Sequence, residues 1–438
     1  MFEKEEKELE KSRDFYNEIV FSDDFANAAI LEGIQRAKRE KLRGRKTRPV
    51  KILLVASILA ISFITTVNVS ETMADYMRNI PGMSQVIDFV RNDKGLMATV
   101  ENDYIQKVDT SDKIGDIEIT LDSVIYDEKN LILFYYFQAE DESQHVLPWF
   151  INLLNSNDEL LTEKVYGQYR SLNENPLLEL RVSLSDIKEL PKDLILSGQF
   201  KVDGNLLEGH WSIPFQLDEG KFAKKQMFTL NKTVSVENQE LTIKDVTVYP
   251  SQTDVHITFD PNNSKQLFGI NDLQMVDEKG EVWELSSLPT TIINENELIF
   301  HLQSHYFLNP KELNLRFSSL RALDKDKLWV EIDPLNNQIL EAPKDGKITE
   351  VKLFKDELFI KVETDLKFAQ NMMFMHAIDQ EGNVIEKDKS YAVSWSPTDN
   401  YIQYIVPYSA ATASPGPIKL KILDYPMNIE KKVNVKIK

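Results

Sequence analysis

Few side chains in this sequence have the type and spacing for chemistry. His301 and His305 stand four residues apart in a strand-like stretch, so a straight strand would set both on one face, within reach of a shared metal ion. Neither Ser304 nor Tyr306 supplies an obvious third ligand. The six histidines are scattered and cysteine is absent, which excludes thiolate metal sites, disulfides and cysteine nucleophiles. Acidic runs at Glu140, Asp141 and Glu142, and from Asp324 to Asp326, could place two carboxylates at the separation that cleaves glycosidic bonds. On an acidic β surface the same residues are expected as solvated loops. Trp149, Trp211, Trp283, Trp329 and Trp395 could stack sugar rings, yet four of them fall in or beside recurring strand landmarks, which favours core packing. There is no Walker loop, Gly-x-Ser-x-Gly elbow, His-Glu-x-x-His or EF-hand pattern. The expectation is a protein that is not an enzyme, with no catalytic residue, no cofactor and no metal.

Recognition is the chemistry that remains. Over 23–41, Phe25, Ala29, Ile30, Ile34 and Ala37 form an apolar stripe near the 3.6-residue period and run into a basic helix end. A polar helix over 2–20 precedes it. Two such helices bury too little surface to fold alone, so the stripe is predicted to meet a partner protein, a second copy or the inner membrane surface. The plainer alternative is a frayed tail that only orients the neighbouring apolar segment.

That segment, 52–67, carries no charge and with its flanks supplies the roughly 20 residues of a membrane span. A buried soluble helix or a signal-peptide core can also be this apolar, but the flanks argue against both. From Arg36 to Lys51 nine Lys or Arg stand against the single acid Glu40, while 68–77 carry no base. The positive-inside rule then puts the N-terminus in the cytoplasm and residues 68–438 outside, with the lipid bilayer as first partner. Of the net charge of −19, residues 1–51 carry +2 from 13 bases and 11 acids, leaving −21 for the rest. Such a surface repels nucleic acid and anionic lipid heads, so no nucleic-acid partner is expected.

Beyond residue 113 the period changes from helical to alternating, and four landmarks recur three times in order. The strand pairs are 119–126 with 131–137, 241–249 with 255–259, and 348–354 with 358–362, read as alternating in each copy. Hairpins turn at Asn157-Asp158, Lys279-Gly280 and Glu381-Gly382. Next come strand, proline loop and strand: 178–184 with 191–196, 298–302 with 310–315, and 402–406 with 417–420. Closing strands at 210–215, 328–332 and 432–437 complete units of immunoglobulin-like size. The predicted fold is mainly β: a cytoplasmic helical segment (1–49), one transmembrane helix (50–69), a juxtamembrane helical connector (70–112), and three tandem immunoglobulin-like β-sandwiches outside the membrane (113–220, 221–342 and 343–438).

A basic segment and short span, then Asn79-Ile80-Pro81-Gly82-Met83, Phe89, Gly95-Leu96 and Tyr104, then 119–127 and 131–137, together resemble the family called domain of unknown function 4179. The resemblance covers about 46–137. It implies a single-pass membrane protein of Gram-positive, Bacillus-like bacteria, acting as an anti-sigma-factor-like regulator, with immunoglobulin-like domains often following. The chain lacks the cysteines, and any histidine before residue 145, of the zinc-binding type of anti-sigma domain. A sigma factor or other cytoplasmic regulator would therefore be held by bare helices, through Phe25, Ala29, Ile30, Ile34 and Ala37. The alternative is a membrane-anchored surface or adhesion protein whose sandwiches are the working part. The extracellular ligand stays open.

Overall fold

The computed structural model describes residues 84–141, 145–162, 165–167, 177–364, 368, 372–385, 392–395, 400–408 and 416–438. Two short helices, Ser84–Val90 (α1) and Lys94–Glu101 (α2), lead into strands. Asp93 caps α2, its Oδ1 accepting from the backbone N–H of Gly95 at 2.9 Å and of Leu96 at 3.1 Å. The first ten strands are β1 (Ile105–Ile114), β2 (Ile117–Tyr126), β3 (Asn130–Ala139), β4 (Val146–Asn155), β5 (Leu160–Thr162), β6 (Val165–Gly167), β7 (Leu178–Ser183), β8 (Asp193–Val202), β9 (Asn205–Leu206) and β10 (Trp211–Gln216). They form two antiparallel sheets, β1-β2-β3-β7-β6 and β10-β8-β4-β5, with β9 against β8. In β10, Trp211, Ile213 and Phe215 are buried while Ser212, Pro214 and Gln216 are exposed, the pattern of a strand with one wet face.

Strands β2 and β3 do not alternate as the sequence reading expects. Nearly every residue from Ile119 to Tyr135 on these two strands is buried, because their sheet is covered on both faces. One face meets the sandwich core. On the other, Val86, Ile87, Val90, Leu96 and Val100 of the helices pack on Ile125, Ile132 and Phe134. The connector is thus part of the first sandwich, and β1 already begins within it.

The second set comprises β11 (Gln226–Val236), β12 (Gln239–Val248), β13 (Thr253–Phe259), β14 (Lys265–Asn271), β15 (Gln274–Asp277), β16 (Val282–Glu284), β17 (Thr291–Asn294), β18 (Glu297–Leu302) and β19 (Leu313–Asp324). The third comprises β20 (Trp329–Asp333), β21 (Gln338–Glu341), β22 (Ile348–Phe354), β23 (Glu357–Glu363), β24 (Phe374–Ile378), β25 (Ala392–Ser394), β26 (Tyr401–Pro407), β27 (Ile418–Ile422) and β28 (Asn428–Lys436). The expected strand pairs appear as β12 with β13 and β22 with β23, and Gly280 and Gly382 take positive φ in the expected hairpin turns.

The last two closing strands are exchanged. Strand β20, read as closing the second unit, pairs with β27 in the third, and β28, read as closing the third, pairs with β19 in the second. Ile429 and Ile437 complete the second core, and Val330 and Ile332 belong to the third. The pairing is one ladder: Asn314 faces Lys436, Arg321 faces Asn428 and Trp329 faces Lys421. It continues through the crossing, where Ala322 N donates to Met427 O and Ile422 N to Leu328 O, each at 2.9 Å. Residues 313–333 and 418–436 therefore make a two-stranded ribbon that spans both sandwiches.

At the crossing Arg321 Nε donates to Asp424 Oδ1 and Oδ2 at 3.0 and 3.1 Å, while its Nη1 donates to Asn271 Oδ1 at 2.6 Å. Burial pushes the Asp424 carboxyl up against the pull of the guanidinium. Gly269 leaves room for the Arg321 head, which a Cβ there would strike. Among the described residues no helix is long and apolar enough to cross a membrane. The predicted span at 50–69 lies outside them, as do Phe25, Ala29, Ile30, Ile34 and Ala37.

Candidate functional site

Polar side chains converge where the connector and the first sandwich meet the second. Helix α2 is the wedge. A Cβ on Gly95 would lie 2.5 Å from Ser304 N, so only glycine permits this approach. The fully buried Thr99 lies with its Oγ1 2.8 Å from Gly95 O and 3.1 Å from Pro250 O, donating between the helix and the β12–β13 turn. Gln303 Nε2 donates to Asn92 O at 3.1 Å, and the Tyr104 and Phe307 rings meet at 5.0 Å.

Beneath the wedge the β2–β3 turn docks on the β12–β13 turn. Asp127, 1% exposed, accepts from the N–H groups of Lys129, Asn130 and Ser251 at 2.8, 2.9 and 2.9 Å. Burial raises its pKa, opposed by the Ser251 and Asn130 bonds. Asn130 Nδ2 reaches Ser251 Oγ at 3.0 Å and Gln252 Oε1 at 2.7 Å, and Gln252 Nε2 donates to Asp254 Oδ1 at 2.5 Å. Lys129 Nζ lies 3.1 Å from Asp254 Oδ2, so one cation of the first sandwich is paired inside the second. Burial works to raise the Asp254 carboxyl, but the bond and charge of His301, with Lys129 and Gln252, hold it below the usual range.

His301 ends this chain of groups. Its Nδ1 sits 2.7 Å from Asp254 Oδ1 and its Nε2 2.8 Å from Thr291 Oγ1. The order carboxylate, imidazole, hydroxyl is that of an acyl-transfer triad. His301 and Asp254 are only 5% and 6% exposed, however, and both ring nitrogens are already engaged. The histidine ties β13, β17 and β18 together and is not presented to a substrate.

The other sequence candidates part company. His305 shares none of the His301 partners; it is buried against Trp283 with ring centroids 5.5 Å apart. Among the described residues no group of three or more acidic or histidine side chains could hold a metal ion. Glu140 pairs with Lys113 at 2.8 Å and Asp324 with Lys265, as surface charges do. Trp211 and Trp283 are core residues, but Trp329 and Trp395 are 41% and 51% exposed, so the expectation of general core packing holds for the first pair and fails for the second. A polar hollow of about 250 Å³ lies on the outer face of the first sheet, lined by Asp109, Ser111, Glu118, Thr120, Tyr136 and Gln138. Nothing in the sequence marks the junction residues Asn130, Ser251, Gln252 and Asp254 as a group. Their only local mark is polarity at two turns, and their convergence is long-range.

Residues 44–139 match the family model described as Domain of unknown function (DUF4179), the family that the sequence resembles. Residues 225–353 match a second, Family of unknown function (DUF5643), whose extent runs from β11 past β19 into β22. No curated protein matches the chain. Among solved structures, the conserved domain protein from Bacillus anthracis is 11% identical over 54% of this chain and 84% of its own, with a TM-score of 0.38. S. aureus TarS is 11% identical over 57% of this chain and 52% of its own, with a TM-score of 0.16. Neither likeness is close enough to carry over a fold or a role.

Proposed function

We propose that the chain is a single-pass membrane regulator of the anti-sigma-factor type, with three immunoglobulin-like sandwiches as an extracytoplasmic sensor and the N-terminal helices as the cytoplasmic effector. In this reading it is not an enzyme and needs no cofactor. The supporting observation is the clamp on α2. The matched segment 44–139 begins in the basic flank, passes through the predicted span and ends in β3. Its helix α2 is wedged against Ser304 and Pro250 of the second sandwich. An inert anchor needs no such junction, whereas a sensor needs its outer domains coupled to the segment that enters the membrane. Across the bilayer one helix transmits association, displacement or cleavage, and the span has no Gly-x-x-x-Gly pattern for tight pairing. The polar stretch 68–78, which begins at the outer end of the predicted span, is the expected cleavage segment.

The partner on the inner side is a sigma factor or other regulator held by Phe25, Ala29, Ile30, Ile34 and Ala37. Replacing Phe25, Ile30 and Ile34 with Asp in the full chain should release transcription of the partner's regulon and abolish its co-purification with the N-terminal helices. An unchanged transcriptome with normal surface display would overturn this reading and support an adhesion protein.

A further inference from the structure

The exchanged strand β28 and the clamped helix α2 meet the same short segment of the second sandwich. On one side, Ile437 N donates to Leu313 O at 2.7 Å and Lys438 Nζ to Asn309 Oδ1 at 3.0 Å. On the other, Gln303, Ser304 and Phe307 touch Asn92, Gly95 and Tyr104 of the connector. Residues 303–313 therefore lie between the far end of the ribbon and the helix. The ribbon's other half is built into the third sandwich, and Leu323 is buried in the third core.

We propose that β28 is a latch: the ribbon carries movement of the third sandwich to residues 303–313, and releasing β28 loosens the grip on α2. Strand β28 suits a two-position element. Among the described residues it pairs through its backbone with β19 alone. Lys431 and Lys432 are both exposed on β28, opposite the irregularity in the ladder between Phe317 and Ser319. Across the open side of the sandwich it is held by side chains: Lys431 Nζ donates to Ser235 O at 2.9 Å, and Lys232 Nζ donates to Lys436 O. Detaching it removes Ile429 and Ile437 from the second core and leaves the backbone of β19 unpaired along that edge. The attached and detached states thus differ by many cooperating contacts, as a switch between two discrete arrangements requires. The latch acts whether or not the chain regulates a sigma factor, so its test is a structural one.

Hydrogen exchange on the full chain in lipid nanodiscs reads the coupling directly. Deleting residues 428–438 should speed amide exchange about tenfold or more in α2 and in residues 303–309, with the β2–β3 core unchanged. The cysteine-free background permits a second variant, Asn314→Cys with Lys436→Cys, positions that face each other in the ladder. Oxidising that pair should slow exchange in α2 relative to the reduced form. If deletion unfolds the whole second sandwich, the oxidised pair decides. Exchange in α2 that is indifferent to the crosslink overturns the latch, as does a deletion that exposes β19 and leaves α2 protected.

Discussion

His305 carries a pH dependence that can be isolated. The imidazole is 5% exposed beside Trp283, and its Nδ1 has no hydrogen-bond partner among the described residues. Burial, with a smaller contribution from Lys438, lowers its pKa to about 4. An unfolded histidine titrates near 6.5, so between about 6.5 and 4 the unfolded chain binds a proton that the folded chain refuses. Stability is therefore intact above that window and falls as the pH drops through it, by about 3 kcal/mol for this one group. His305→Phe keeps the ring on Trp283 and removes the titration. Its unfolding free energy, compared with the parent between pH 7 and 4, should lose that share of the acid dependence, and parallel curves would refute the assignment. The sequence shows His301 and His305 as a spaced pair, but not that one has its ring nitrogens engaged and the other has a bare nitrogen. That difference is made by Asp254 and Thr291, 47 and 10 residues away from His301.

At the level of elements, the α2 clamp depends on the absence of one side chain. Gly95→Ala sets a methyl group against backbone at Ser304 N, which cannot rotate aside. The substitution should cost about 1–3 kcal/mol as overpacking does, although alanine favours the helix itself. The loss should appear as faster proteolysis within α2 and a lowered melt; a stabilised protein would mean that the joint opens freely. Much at this scale is legible in the sequence. Turns at Asp158, Gly280 and Gly382 take the positive φ their residue types suggest, and most strands lie where alternation places them. Strands β2 and β3 read wrongly as half-exposed because the cover on their second face comes from helices that periodicity cannot assign to them. The partners of β20 and β28 are illegible for a related reason. Both strands suit a closing position, and local pattern says what a strand is more reliably than which edge it joins.

On the scale of the whole molecule, the exchange changes which pieces can stand alone. The sequence suggests a third sandwich over residues 343–438, so the fragment 344–438 is expected to fold by itself. That fragment lacks β20 and β21, leaving β27 unpaired on one side, and its β28 has no β19 to close against. Expressed by itself it should be unfolded or aggregated, while residues 221–438 should melt as one cooperative transition by calorimetry. A cooperative melt of 344–438 alone would show the exchange to be dispensable. The same ladder also orders events in time. Strands β19 and β28 pair across about 100 residues of intervening chain. A ribosome therefore releases β19 well before its neighbour exists, and the second sandwich waits, one side open, until nearly all of the third has been made. Contacts so distant along the chain form slowly, and unpaired edges invite aggregation meanwhile. A nascent chain stalled or clipped before Asn428 would keep that side open, a ready mark for chaperones or quality-control proteases to recognise.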